Sequence, residues 1–401
     1  MAKIYKPKSL QELKELVNDK SVHLGDIDTS LITDMTELFK DSKRKNFNGL
    51  ETWNTSNVTT MKGMFYRAKY FNHPIGDWDV AKVEDMTFMF CEAPAFNQPL
   101  EKWNVSNVRC MESMFAWAYS FNQPIERWDV SNVCNMRAML YFAKSFNQPL
   151  NNWNVSKVYT ITCMFGGAKS FNQPLDKWDT SGIQEMAYTF SECYEFDQNI
   201  DSWDTSKVTY MDGMFDRAKN FNQPLNSWKT GKVKFMRRMF EGAEKFNQPL
   251  NDWNVSNVRN MSKMFCKALS FNQPLNNWNV SNVENMVQMF DDASSFNQPL
   301  DRWNVSKVKD MTCMFYGATS FRQPITTWKL SSQSTRGIFL DLPDYRDMES
   351  RVMCLATLDG NNREYELQEM IEILGEKEVQ DALRIHGAKY GLKEYLQNNG
   401  E

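Results

Sequence analysis

Twelve tryptophans stand at positions 53, 78, 103, 128, 153, 178, 203, 228, 253, 278, 303 and 328, an unbroken spacing of 25 residues. A fixed period of this length is the mark of a stacked repeat, in which no unit can bury its own apolar side and each must lean on its neighbours. The unit is F-N-Q-P-L-x-x-W-[ND]-[VT]-S-[NK]-V-x-x-M-x-x-M-F-x-x-A-x-x. Phe96, Asn97, Gln98, Pro99, Leu100, Trp103, Val105, Val108, Met111, Met114, Phe115 and Ala118 give one complete copy.

Two halves of the unit carry different patterns. In M-x-x-M-F-x-x-A, apolar residues fall at i, i+3, i+4 and i+7, as at Met261, Met264, Phe265 and Ala268, which predicts one face of a short helix. In L-x-x-W-x-V, Trp and Val lie two apart, and the preceding Pro has no N–H for a ladder, so the segment is expected to be a strand with Pro at its start. The expected fold class is therefore α/β: a solenoid of about twelve strand-turn-helix units whose strands form a parallel ladder. Stacking would set like residues above one another. Trp, Phe and Met would fill the interior, while Asn97 and Gln98, with their equivalents in other rungs, would pass amide hydrogen bonds along the stack. The Asn-Val-Ser tripeptides, such as Asn104-Val105-Ser106, recur with the turn and are expected to be structural, not sites of glycosylation.

The long repeated motif W-[DN]-V-S-N-V-x-x-M-x-x-M-F-x-x-A-x-x-F-N-Q-P-L closely resembles the bacterial surface protein A-like (BspA-like) class of leucine-rich repeats, with matching units across residues 28–330. The resemblance implies a leucine-rich-repeat-like, non-enzymatic solenoid, often displayed on bacterial surfaces to bind host proteins or other cells. The chain shows no signal peptide, lipobox or wall-sorting tail of the kind such display uses. Residues Met1 to Pro7 hold no apolar leader, so a cytoplasmic location is the expectation from the residues, and the cell surface by a non-Sec route is the one the resemblance implies.

The ends depart from the repeat. Residues 1–27, with Leu10, Leu13 and Leu16 at helical spacing, are assigned as an N-terminal helical cap, and 28–330 as the solenoid. Lys43-Arg44-Lys45 is expected to be a solvated loop. The unit near 181–205 is the most eroded, with Thr189 replacing Met and Cys193 replacing Ala, and is a candidate for a local kink. Residues 331–340 have linker composition. Residues 341–401 are expected to form a small helical C-terminal domain, with helices near 343–357, 364–374, 376–386 and 388–398 separated at Asp359-Gly360, Gly375 and Gly387.

Chemistry-bearing motifs are sparse. His23, His73 and His386 lie in the cap, a repeat and the C-terminal segment, and the eight cysteines fall at scattered phases with no C-x-x-C, pointing to free thiols. No phosphate-binding, nucleophile-elbow or zinc-protease motif occurs. The expectation is no enzyme, no cofactor and no metal. With 46 basic and 50 acidic residues the net charge is −4, and no run of about eighteen apolar residues exists, so neither a nucleic-acid partner nor membrane insertion is expected.

A protein partner is expected instead, and the positions left free by the repeat should hold it. Between 66 and 210, eleven aromatics lie outside the consensus, against Phe235 and Tyr316 between 211 and 330. Trp117, Tyr119, Tyr141 and Tyr194 are the candidate partner-binding residues, because Trp and Tyr dominate binding hot spots. The predicted role is a protein-interaction scaffold, in the resemblance-implied version an adhesin or host-factor binder. The alternative is an assembly component that oligomerises through its solenoid ends or C-terminal domain.

Overall fold

The computed structural model describes residues 4–330, 338–339, 347–358, 360–392 and 395. They fall into two compact units, Met1–Val208 and Thr209–Glu401.

In both units the repeat is a stack of turns, not the strand-turn-helix unit expected from the pattern. Each apolar pair spaced by three residues marks the two ends of a β-turn closed by a backbone hydrogen bond. In one rung of the first unit, Trp103 N–H donates to Leu100 (3.1 Å), Val108 to Val105 (2.9 Å), Met114 to Met111 (3.2 Å), Ala118 to Phe115 (3.0 Å) and Phe121 to Ala118 (3.0 Å). The segment 111–118 mimics helical spacing because successive turns also place residues three and four apart on one side. A helix is excluded there by Ser113 and Trp117, whose φ values are +53° and +61°. Positive φ at the third residue of M-x-x-M and of F-x-x-A is what a type II turn requires.

The left-handed residues also hold the rungs together. Ser113 N–H donates to Arg137 C=O (2.8 Å) and Trp117 N–H to Tyr141 C=O (2.6 Å), one rung on, while Met111 and Phe115 do the same at 3.0 and 2.9 Å. In the second unit Arg238 reaches Ser262, Gly242 reaches Cys266, Lys263 reaches Val287 and Lys267 reaches Asp291. Alternate N–H groups thus serve the rung's own turns and the next rung.

Parallel pairing is present but shrinks to one residue per rung and lies beyond the predicted strand. It runs through Asp34, Thr60, Asp85, Cys110, Asn135, Thr160 and Glu185 in the first unit, and Tyr210, Phe235, Asn260, Asn285 and Asp310 in the second. L-x-x-W itself is a turn, so its Pro needs no strand edge.

The interior columns follow the sequence expectation. Trp103 and Trp128 stack at 6.4 Å, Phe90 and Phe115 at 5.5 Å, and the Trp indole donates to a Leu or Ile carbonyl of the preceding rung, as Trp128 to Leu100 and Trp253 to Leu225 (both 3.0 Å). The amide ladder is also formed. Asn97 Oδ1 accepts from Asn122 N–H (2.9 Å) and from Gln123 Nε2 (3.0 Å), and Asn222, Asn247, Asn272 and Asn297 repeat the pattern in the second unit. Asn104 Oδ1 accepts from Ser106 N–H (3.1 Å), an Asx-turn that explains the recurring Asn-Val-Ser. In the eroded unit, the polar replacements are satisfied: Thr189 Oγ1 donates to Met186 C=O (2.8 Å) and Cys193 Sγ to Phe165 C=O (2.7 Å).

In the first unit the N-terminal cap contains α1 (Leu10–Asn18), capped by Ser9 accepting from Glu12 N–H. Its buried face is Leu13 and Val17, with Leu10 and Leu16 only half-buried. The Lys43-Arg44-Lys45 segment is not simply solvated. Arg44 reaches back to the Val17 carbonyl (2.9 Å), and Lys45 lies over the Tyr70 ring.

In the second unit three helices follow the repeats: α2 (Met348–Thr357), α3 (Gly360–Leu374) and α4 (Glu376–Tyr390). Gly360 opens α3 instead of breaking the chain. Gly387 lies inside α4, whose stop is Gly391 in the left-handed conformation (φ +75°), so the separate helix expected at 388–398 begins as the last turn of α4. Residues 331–337, 340–346 and 393–394 and the chain end from 396 lie outside the described residues, and with them most of the predicted linker. Ile338 C=O accepts from Phe315 N–H (3.0 Å), Phe339 stacks on Phe315 (5.9 Å), and Ser350 Oγ accepts from Ile325 N–H (3.0 Å), so this segment and α2 supply the groups that a following rung would. Val352, Leu355, Met370, Val379 and Leu383 form the core shared by the three helices.

Two stability outcomes follow. Trp253 is 3% exposed and its indole donates to Leu225 C=O (3.0 Å), so Trp253→Ala should cost about 3–5 kcal/mol in denaturant unfolding. Lys267 is exposed with φ +59°, so Lys267→Gly should stabilise by up to about 1 kcal/mol, whereas a helix there would give a loss of similar size.

Candidate functional site

Three of the four residues singled out in the sequence meet on the outer side of the first unit. Trp117 and Phe142 occupy the same phase in adjacent rungs, both at positive φ (+61° and +55°), and their rings stack at 4.2 Å and 1°. Tyr141 stands edge-on to Trp117 at 5.6 Å and to Phe142 at 4.7 Å, and Tyr119 meets Trp117 edge-on at 6.0 Å. Lys144 Nζ lies 4.2 Å over the Tyr119 ring. All four aromatics are half-buried, so each keeps a face toward solvent. Burial pushes the Tyr141 phenol above its ordinary range, which keeps it a neutral hydrogen-bonding group.

The next rung makes room for this cluster with Gly166 and Gly167. A Cβ on Gly167 would sit 2.8 Å from the Phe142 ring, and one on Gly166 would sit 2.9 Å from the Tyr141 ring. Beside the cluster is an open groove of about 610 Å³ lined by Arg67, Lys69, Glu92, Pro94, Trp117 and Tyr119. Its charged wall is tied, since Arg67 pairs with Glu92 at 3.2 Å.

Tyr194 is not part of this cluster. It shares the Tyr119 phase three rungs further on, and Lys169 Nζ covers its ring at 4.6 Å. Phe142 was legible as an aromatic outside the consensus, and its 25-residue offset from Trp117 was the signal that the two rings would stack. The supporting role of Gly166 and Gly167 is set by how closely the Tyr141 and Phe142 rings approach the following rung.

The groups that could carry covalent or acid-base chemistry are dispersed. His23 Nδ1 accepts from Gly25 N–H in the cap, His73 pairs with Glu51 where other rungs have Gln, and His386 faces Glu349 in the C-terminal helices. Among the described residues no group of three or more His, Cys, Asp or Glu is placed to hold a metal ion, and no helix is long and apolar enough to cross a membrane. All eight cysteines are free thiols. Burial pushes Cys91 and Cys266 up to about 12 and raises Cys193 and Cys354 as well, so none of these four is a ready nucleophile near neutral pH.

Turn-built rungs in register, with consensus side chains inside and variable ones outside, define a tandem-repeat protein. The chain belongs to the family described as "Mycoplasma protein of unknown function, DUF285", which matches residues 8–120, 100–194, 172–268 and 250–345. Curated proteins give no significant match. Among solved structures, the "Crystal structure of TLR13-ssRNA13 complex" is similar over 74% of this chain at 10% identity and a TM-score of 0.21. The matched region spans about half (48%) of that chain, and so low a score lends nothing to fold detail or ligand.

The raised thiols make a pH prediction. Unfolded cysteine ionises near pH 8.5, well below folded Cys91 and Cys266, so between roughly pH 8.5 and 12 the unfolded state loses protons that the folded state keeps. Stability should therefore fall as pH rises through that window. Melting temperatures at pH 8 and 10 should show a smaller drop for Cys266→Ala than for the parent.

Proposed function

We propose that this chain is a non-enzymatic protein-interaction scaffold that docks a protein partner on the aromatic cluster of Trp117, Tyr119, Tyr141 and Phe142. The observation that carries the proposal is the convergence of four non-consensus aromatics from adjacent rungs, half-exposed beside a groove. Nothing in the packing of a repeat requires aromatics at these outward positions, since other rungs place Gly, Arg, Lys or Asp there. Trp and Tyr bury large rigid surfaces at low entropic cost, which is why they anchor protein interfaces. Tyr194, paired with Lys169, would serve as a separate contact for a partner long enough to span three rungs.

The resemblance to BspA-like repeats extends this proposal to display at a bacterial surface, with a host protein or another cell as the partner. Immunodetection in fractionated cells tests that extension separately from the docking site. Finding the chain only in the soluble cell interior would remove the adhesin version and leave the scaffold.

For the docking site, Trp117→Ser with Tyr141→Ser should weaken a co-purified protein partner by about 2 kcal/mol or more, roughly thirtyfold, with the circular dichroism spectrum unchanged. Tyr316→Ser with Tyr365→Ser, in the second unit, is the control and should bind as the parent does. Equal binding by both double variants would refute the site.

A further inference from the structure

We propose that the bridge face of the second unit, around Lys232, Lys234 and Arg259, binds an extended acidic peptide segment of a protein partner. This site stands independently of the aromatic cluster in the first unit.

The columns one and three residues before each parallel bridge lie at the surface, and in the second unit they carry Lys232, Lys234, Arg259, Lys307 and Lys309. Lys232, Lys234, Arg259 and Lys307 line an open depression of about 520 Å³ together with a single acid, Glu284. That acid is already committed, because Lys309 Nζ lies 2.7 Å from Glu284 Oε2 and the neighbouring cations hold its carboxyl below the ordinary range. Lys307 donates to Asn282 Oδ1 at 2.7 Å. Lys232, Lys234 and Arg259 are exposed, and among the described residues none of them makes an ion pair with a side-chain carboxylate. The first unit handles the same phases differently. There Lys82 and Lys157 donate to Asn57 and Asn132, and Arg109 lies 3.8 Å from Glu84.

Three cations without a carboxylate partner, in a chain whose net charge is −4, are a local excess, and charge complementarity selects an anionic occupant. Its length follows from the rung spacing. Rungs about 4.8 Å apart put Lys307 roughly 14 Å from the Lys232 rung, the reach of about four residues of extended chain. Carboxylates on alternate residues of such a segment recur every ~6.7 Å, within reach of long Lys and Arg side chains on successive rungs.

A nucleic acid fits less well. Its binding rests on neutralising many phosphates, commonly about six to ten, and here Glu284 interrupts the cationic column. The nearby aromatics Tyr210 and Phe235 stack on each other at 5.6 Å and 11°, which covers the ring faces between them. A peptide can place a neutral or basic residue opposite Glu284, whereas a phosphate backbone cannot.

The test is fluorescence anisotropy with labelled hexaglutamate on the full chain, at two salt concentrations, beside labelled hexauridylate. The expected result is hexaglutamate binding that weakens with salt and drops at least tenfold in Lys234→Glu with Arg259→Glu, while Lys82→Glu with Lys157→Glu, at the first-unit positions, binds as the parent does. The neutral pair Lys232→Gln with Lys234→Gln should give an intermediate loss and guards against misfolding of the charge reversal, with melting temperature checked for each. Undiminished binding by both second-unit variants, or no hexaglutamate binding at millimolar peptide, would overturn the proposal. So would tighter binding of hexauridylate that the same substitutions abolish, which would make the face a nucleic-acid site.

Discussion

Backbone hydrogen bonding between rungs, donated in part by residues in the left-handed conformation, is the constraint on which the rest of this structure depends. A chain of β-turns satisfies only part of its own peptide groups, and buried N–H groups without partners are costly. Here alternate N–H groups close the turns while those between them reach the next rung, as Phe88 reaches Glu112 and Glu92 reaches Ala116. The geometry requires positive φ at those two phases, and nineteen non-glycine residues among those described accept it, Trp117 and Phe142 included. The strain, about 1–2 kcal/mol for a residue with a Cβ, persists where the residue is held by a bond to the next rung, as Ser113 and Trp117 are, that the alternative conformation would break.

The same constraint explains the ends. A terminal rung exposes peptide groups and apolar columns that an interior rung would cover. On the N-terminal side, Leu24 C=O accepts from the Trp53 indole (2.8 Å) and Val17 C=O from Arg44, so the cap supplies acceptors where a rung is missing. In the second unit, Ile338, Phe339 and Ser350 serve the last repeats, and α2 is buried along most of its length.

Committing the consensus residues to turns and columns divides the molecule into positions that hold the stack and positions that are free to vary. Function is then written in the free positions, and the two units use them differently. The first unit gathers aromatic side chains over a glycine pair, and the second presents unpaired cations beside its bridge residues. A repeat protein can carry two unlike surfaces in this way because a change at an outward phase leaves the shared interior untouched.

The sequence by itself determined the period, the inward columns and the amide ladder. These depend only on which residues recur every 25 positions, and Trp103, Phe115 and Asn97 find like neighbours whatever the backbone between them does. It also placed Trp117, Tyr119 and Tyr141 at free phases. The secondary structure was decided only in the tertiary structure, because apolar residues three and four apart satisfy both a helix and a run of turns. What separates the two is whether Ser113 and Trp117 bond within their own segment or to Arg137 and Tyr141 one rung away. That choice is made by the neighbouring rung, which no single repeat contains. For the same reason the space left by Gly167 for Phe142, and the separation of Tyr194 from the cluster, emerged only once the rungs were stacked.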